Sequence, residues 1–146
     1  LALAGSLALP LLALLPVMHF SSPVFTRTAV ILLVEDDPSL RLSLRTFMEE
    51  NGFLTHTASS RSQGQEMLRS LKPAVCLLDL NLPDGSGLDL LRLIVREHLP
   101  IRVIVMSAMP NEQLHRQFPP SVLAATMTKP VSPQHLLDWV DRITQT

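Results

Sequence analysis

The hydrophobic residues of this chain fall into two alternating textures: short unbroken apolar runs, and longer stretches in which apolar residues recur every third or fourth position. Residues 29–34 form one such run with acids directly after it, the pattern of a strand buried on both faces of a parallel sheet. Pro38 follows, and Leu40, Leu44, Phe47 and Met48 then fall at helical spacing until Asn51 and Gly52 supply a C-terminal stop. The unit then repeats. Residues 53–58 predict a second strand, 60–71 a helix, 74–80 a third strand, 88–97 a helix and 101–106 a fourth strand. A short helix over 111–118, a fifth strand over 123–127 and a last helix over 132–144 complete the series. Five strands alternating with five helices imply an α/β fold, a doubly wound five-stranded parallel sheet with helices on both faces. Right-handed crossovers bring the C-terminal ends of all strands to one edge, where such folds keep their sites.

Residues 1–20 stand apart. They are uncharged and rich in leucine and alanine, long enough to cross a bilayer at about 20 residues, though Pro10 and Pro16 interrupt them. A cleaved secretory signal fits poorly, because no basic residue precedes the apolar stretch. Three readings stand: a membrane anchor, the end of a longer upstream protein, or an extension from a wrongly chosen start codon. Residues 21–27 read as a polar linker, which leaves 28–146 as the folded domain. The domain is expected in the cytoplasm; Arg27, with no charge upstream of it, favours the same side if residues 1–20 tether it to a membrane.

A length of 146 residues holds one domain of ordinary size. Twelve lysines and arginines nearly balance 13 aspartates and glutamates, so no surface rests on bulk positive charge and no direct nucleic-acid binding is expected. Cys76 is the only cysteine and sits in an apolar run, where a thiol behaves as a small buried hydrophobe. His19, His56, His98, His115 and His135 lack the spacing and the neighbouring cysteines of a zinc site and read as surface residues.

The informative charge is local and lies at the strand ends. The first strand runs into Glu35, Asp36 and Asp37, the third ends around Asp79, the fourth around Ser107, and the fifth runs into Lys129 and Pro130. Carboxylates crowded into one pocket repel, so the site should raise at least one pKa or recruit a cation. Magnesium suits it, a hard ion served by one or two carboxylates, a carbonyl and several waters. One carboxylate can then attack a phosphoryl donor while metal, lysine and hydroxyl stabilise the transferring group, giving an aspartyl phosphate. Singly, each residue has a simpler reading: Asp36 or Asp37 as a helix N-cap, Lys129 as a solvated lysine, Ser107 as a cap. Asp79 resists one, since an unpaired carboxylate ending an apolar strand is costly.

The segments VILLVEDD (30–37), LLDLNLPDGSG (77–87), VIVMSA (103–108) and TKP (128–130) together resemble the receiver domains of two-component response regulators. Their spacing fits as well, Ser107 following Asp79 by 28 residues and Lys129 following Ser107 by 22. The resemblance leaves out the N-terminal stretch. It implies a flavodoxin-like sheet of strand order 2-1-3-4-5, with Asp79 as phosphoacceptor. It further implies a magnesium site in which Asp36 binds directly, Glu35 acts partly through water, and Asp79 and the backbone carbonyl of Asn81 complete the protein's share. Ser107 would bond a phosphoryl oxygen, Lys129 would pair with the phosphate, and the peptide before Pro130 would be cis. Asp37 falls beyond the metal, near the start of the first helix, where negative charge is favourable. Residues 83–87 read as a turn that needs glycine. The implied partners are a histidine kinase or a histidine phosphotransfer protein upstream and a further protein downstream. The domain would not be an enzyme for external substrates, though it takes part in its own phosphorylation and dephosphorylation.

The chain departs from that pattern in places. Where many receivers carry a switch aromatic, three positions before the lysine, it has Thr126, and it contains no tyrosine. The helix at 111–118 has Leu114 and Phe118 as its only apolar pair and ends in Pro119 and Pro120, so it should be short and marginal. Residues 111–124 are accordingly the expected output element. Trp139 should pack in part against the sheet, or else anchor a partner. A phosphorylation-independent interaction module with a receiver fold is the competing function. A phosphatase fits less well, because Asn81 stands where such enzymes commonly place a second acid.

Overall fold

A computed structural model describes residues 25–109 and 112–145. In chain order it contains β1 (Val30–Val34), α1 (Pro38–Glu50), β2 (Leu54–Ala58), α2 (Arg61–Leu71), β3 (Val75–Asp79), α3 (Leu88–Arg96), β4 (Arg102–Ser107), α4 (Leu114–Gln117), β5 (Leu123–Thr128) and α5 (Pro133–Thr144). The five strands are all parallel and run β2-β1-β3-β4-β5 across the sheet, the doubly wound, flavodoxin-like order 2-1-3-4-5.

Successive residues of a strand point to opposite faces, and here both faces are covered, which is why the runs are unbroken. Leu32, Cys76, Leu78, Val103 and Val105 pack toward Leu68 of α2, Leu91 and Ile94 of α3, and Leu114 of α4. Their neighbours Ile31, Leu33, Leu77, Ile104 and Met106 pack toward Leu44 and Met48 of α1 and Leu136 and Val140 of α5. Each of these buried aliphatic side chains contributes about 1.5–3 kcal/mol relative to exposure. Trp139 is half-buried against the second cluster, with the Arg142 guanidinium 5.0 Å from its ring centroid.

The helix starts follow from local chemistry. Asp37 caps α1, accepting from the Ser39 and Leu40 amides, and Pro38 opens the helix where its missing N–H costs nothing. Ser60 caps α2 and Ser132 caps α5 in the same way. Element ends differ from the sequence pattern by a residue or two, with larger differences in three places. The helix expected over 111–118 is a single turn, Leu114–Gln117, and residue 111 lies outside the described residues. Residues 83–87, expected as a turn, contain one at Pro83 and Asp84, but it is the tip of a two-rung antiparallel ladder, Asn81 with Ser86 and Leu82 with Gly85, that the apolar pattern does not predict. β5 carries one residue more than β4 between the pairs Val103–Leu123 and Ile104–Ala125, a bulge that no pattern of apolar positions announces.

The apolar stretch 1–20 and most of the expected linker lie outside the described residues. Arg27, assigned to that linker, is tied to the domain. Its amide donates to the Gly52 carbonyl at 3.1 Å, and its guanidinium lies 3.3 Å from Asp141 and 5.0 Å from the Phe53 centroid. No helix among the described residues is long and apolar enough to cross a membrane.

Candidate functional site

Parallel register brings the charged residues together. Val34 is level with Leu78, so Glu35, the next residue, comes level with Asp79, the last residue of β3. Asp79 in turn pairs with Met106, which sets Ser107 one step beyond it, and Ser107 pairs with Thr128, so that Lys129 follows. The Lys129 amide donates to the Ser107 carbonyl at 2.7 Å, and the Lys129–Pro130 peptide is cis.

Glu35 and Asp79 are buried, at 0% and 3% exposure, and Lys129 is what makes that tolerable. Its Nζ lies 2.9 Å from Glu35 Oε2 and 3.2 Å from Asp79 Oδ2. Buried charge without a partner would be strongly unfavourable. Desolvation, reinforced by the Asp79 charge, pushes the Glu35 carboxyl above the usual range despite the opposing hydrogen bond from Lys129. Desolvation pulls the Lys129 ammonium down, but its bonds to Glu35 and Asp79 outweigh it and hold the pKa above the ordinary lysine value. The second oxygen of each acid binds backbone: Asp79 Oδ1 accepts from the Asn81 amide at 3.0 Å, and Glu35 Oε1 from the Asp37 amide at 3.2 Å.

Asp36 is exposed, yet one of its carboxylate oxygens lies within 4.8 Å of oxygens from Glu35 and Asp79. This is the one cluster of potential metal ligands among the described residues. The donor set is all oxygen and anionic, and its exposed member leaves room for waters, which fits a hard divalent cation rather than zinc. Asn81 meets the site through its backbone amide. Ser107 Oγ accepts from the Met109 amide at 3.2 Å, at the rim of the pocket.

Thr126 lies away from the acids. It lines a cleft of about 250 Å³ together with Ser107, Leu114, His115 and Thr128, and its hydroxyl is 3.5 Å from His115 Nε2. Cys76 is fully buried, and desolvation pushes its thiol up to about 12, in keeping with a core hydrophobe.

The roles of Arg41 and Asp84 escaped the sequence reading, and that of Gly87 was seen only in part. Arg41 Nη1 donates to the carbonyls of Glu35 at 2.8 Å and Asp36 at 3.2 Å; a cation one turn into the helix after an acid run was the available signal. Asp84 accepts from the amides of Arg61 and Ser62, at 2.6 and 2.9 Å, and so caps α2 from a distant loop. The glycine expected for the backbone angles of the 83–87 turn is Gly85, at φ +146°, whereas Gly87 has an ordinary helical φ of -61°. A Cβ there would lie 2.5 Å from the Asp79 carbonyl oxygen, so it is close approach to β3 that requires glycine.

A family profile described as response regulator receiver domain matches residues 31–141. The photosynthetic apparatus regulatory protein RegA of Cereibacter sphaeroides is 37% identical over 78 residues, 53% of this chain and 42% of that protein. The KDP operon transcriptional regulatory protein KdpE of Escherichia coli is 37% identical over 82 residues, 56% of this chain and 36% of that one. The chain thus spans about two-fifths of the length of these curated relatives. Another relative, 36% identical over 78 residues (53% of this chain, 34% of that one), is the DNA-binding response regulator MtrA of Mycolicibacterium smegmatis, so the expectation of no nucleic-acid contact gains no support here. Among solved structures, the HemR receiver domain of Leptospira biflexa superposes with a TM-score of 0.72 at 27% identity, over 81% of this chain and 95% of that one. The signal receiver domain of a Luxo repressor protein from Vibrio parahaemolyticus gives 0.74 at 25% identity, over 80% and 90%.

Proposed function

Because the chain belongs to the response regulator receiver domain family, we propose that it is a phosphoacceptor signalling domain taking a phosphoryl group onto Asp79 from a histidine kinase or a histidine phosphotransfer protein. The observation that carries this reading is the gathering of Glu35, Asp36 and Asp79 around one strand end, with Lys129 bonded to two of them. Glu35, Asp36, Asp79 and the backbone carbonyl of Asn81 would hold magnesium. When bound, the ion supplies positive charge that offsets the oxygens of the incoming phosphoryl group.

The chain's own residues account for the rest. Asp79 is the nucleophile: one carboxylate oxygen forms a bond to phosphorus as the bond from phosphorus to the donor nitrogen breaks, and the electron pair of that bond stays on the donor imidazole. The Asn81 amide fixes the other carboxylate oxygen, so attack comes from a set direction. Lys129, charged throughout, exchanges its bond to Asp79 for one to a phosphoryl oxygen and keeps its bond to Glu35. Ser107, at the pocket rim, donates its hydroxyl to another phosphoryl oxygen. Output follows from rearrangement near Ser107 and Thr126, toward a protein partner. Incubation with acetyl phosphate and magnesium should give a labile adduct in the wild type, by intact-mass spectrometry, and none in Asp79→Asn. No adduct in the wild type, or an equal one in the variant, would overturn the assignment.

A further inference from the structure

Consecutive acids on a short loop repel one another, and an exposed one has no side-chain partner to hold it. Asp36 is in that position: no described contact engages its carboxylate, yet one of its oxygens stays within 4.8 Å of those of Glu35 and Asp79. What fixes it is the backbone of the loop, whose polar groups are used from several sides. The Glu35 amide donates to the Ala58 carbonyl of β2 at 3.0 Å, the Asp37 amide to Glu35 Oε1 at 3.2 Å, and the Asp37 carbonyl accepts from the Arg41 amide at 2.9 Å. No backbone N–H of the described residues donates to the Glu35 or Asp36 carbonyl. Arg41 Nη1 meets both of them, at 2.8 and 3.2 Å.

We infer that Arg41 is a positioning residue for the cation: by gripping the Glu35 and Asp36 carbonyls it holds the Asp36 carboxylate toward Asp79 while leaving every acid of the loop unpaired with it. That the arginine binds none of the three acids is chemically unusual. A guanidinium beside three carboxylates ordinarily forks onto one of them. Here Arg41 has no ion pair with Glu35, Asp36 or Asp37, each of which has its own contacts or none. An arginine bound to Asp36 itself would compete with a cation; bound to the carbonyls, it orients the acid without occupying it. This inference rests on the proposed magnesium site.

The sign of the effect separates positioning from charge. Deleting a positive charge beside a cation site would by Coulomb interaction alone tighten cation binding. Loss of a group that orients a ligand typically weakens metal affinity about 10–100-fold. Magnesium titration of Arg41→Ala, followed by the amide resonances of Asp79 and Asn81, should therefore show binding weakened about tenfold or more. Hydrogen exchange at the Asp37 amide should quicken in the metal-free protein. Arg41→Met, which keeps the aliphatic stem, should repeat both changes and stands in if alanine costs the fold; Arg41→Lys, which keeps a donor, should fall between. Asp36→Asn should lose magnesium without quickening the exchange. Unchanged or tighter binding in the alanine and methionine variants would overturn the inference, as would unaltered exchange. A wild type that takes up no magnesium would overturn the site itself, an outcome distinguished by appearing before any substitution is made.

Discussion

At the centre of the sheet edge one ammonium serves two buried carboxylates; Arg41 of α1 holds the loop that carries Glu35, and Asp84 ties the loop after Asp79 to the start of α2. At the corner formed by β4, α4 and β5, a single 3.5 Å contact between His115 and Thr126 spans an open cleft, and the helix is one turn long. Burial accounts for the contrast. Moving Lys129 off its partners would strand charge in a low-dielectric pocket, whereas His115 is already in water and loses little by turning away. The chemistry proposed for the centre needs preset geometry, and the corner is where rearrangement costs least.

Lys129→Met attacks that contrast most directly. It leaves Glu35 and Asp79 facing each other without a cation, a loss on the order of 3 kcal/mol in urea denaturation. The loss should grow with rising pH. Glu35 already titrates above the usual range, so at low pH it takes a proton and escapes the repulsion, and at high pH it does not. A loss that is small and flat with pH would mean that the centre is no more tightly built than the corner.

A smaller effect is expected at Asp84, whose carboxyl is held below the usual aspartate range by the amides of Ser62 and Arg61. A depressed pKa stabilises the fold above the ordinary aspartate value, and that contribution is lost as pH falls through the depressed one. Asp84→Asn should lower thermal stability near neutrality by less than Lys129→Met does, and the gap to the wild type should close in strong acid. A gap that persists there would assign the loss to something other than this titration.

The smallest change is expected at the corner itself. His115→Ala removes an exposed side chain with one long contact and should shift stability by no more than about 0.5 kcal/mol. A shift several times larger would show the corner to be bound as firmly as the centre.

These expectations draw unequally on what could be read from the chain. The strands were legible because sheets covered on both faces need unbroken apolar runs, and Glu35, Asp79, Ser107 and Lys129 were legible because they end or follow those runs. Arg41 and Asp84 were not, because each acts on backbone groups whose direction only the folded loops determine. The 83–87 turn was legible through Gly85, whose positive φ is a local requirement; Gly87's need for glycine was not, because proximity to the Asp79 carbonyl is a tertiary fact.

The extra residue in β5 bears on how this domain can tolerate change. In an unbroken strand Leu123 and Ala125 would share a face; here Leu123 joins the layer beneath α3 and α4, and Ala125 the one beneath α5. A second-site suppressor of a volume change at Leu123 therefore belongs in the cluster that α3 and α4 cover, and one for Ala125 in the cluster that α1 and α5 cover. Two positions that an alternating reading would treat as one genetic neighbourhood are coupled to opposite halves of the protein.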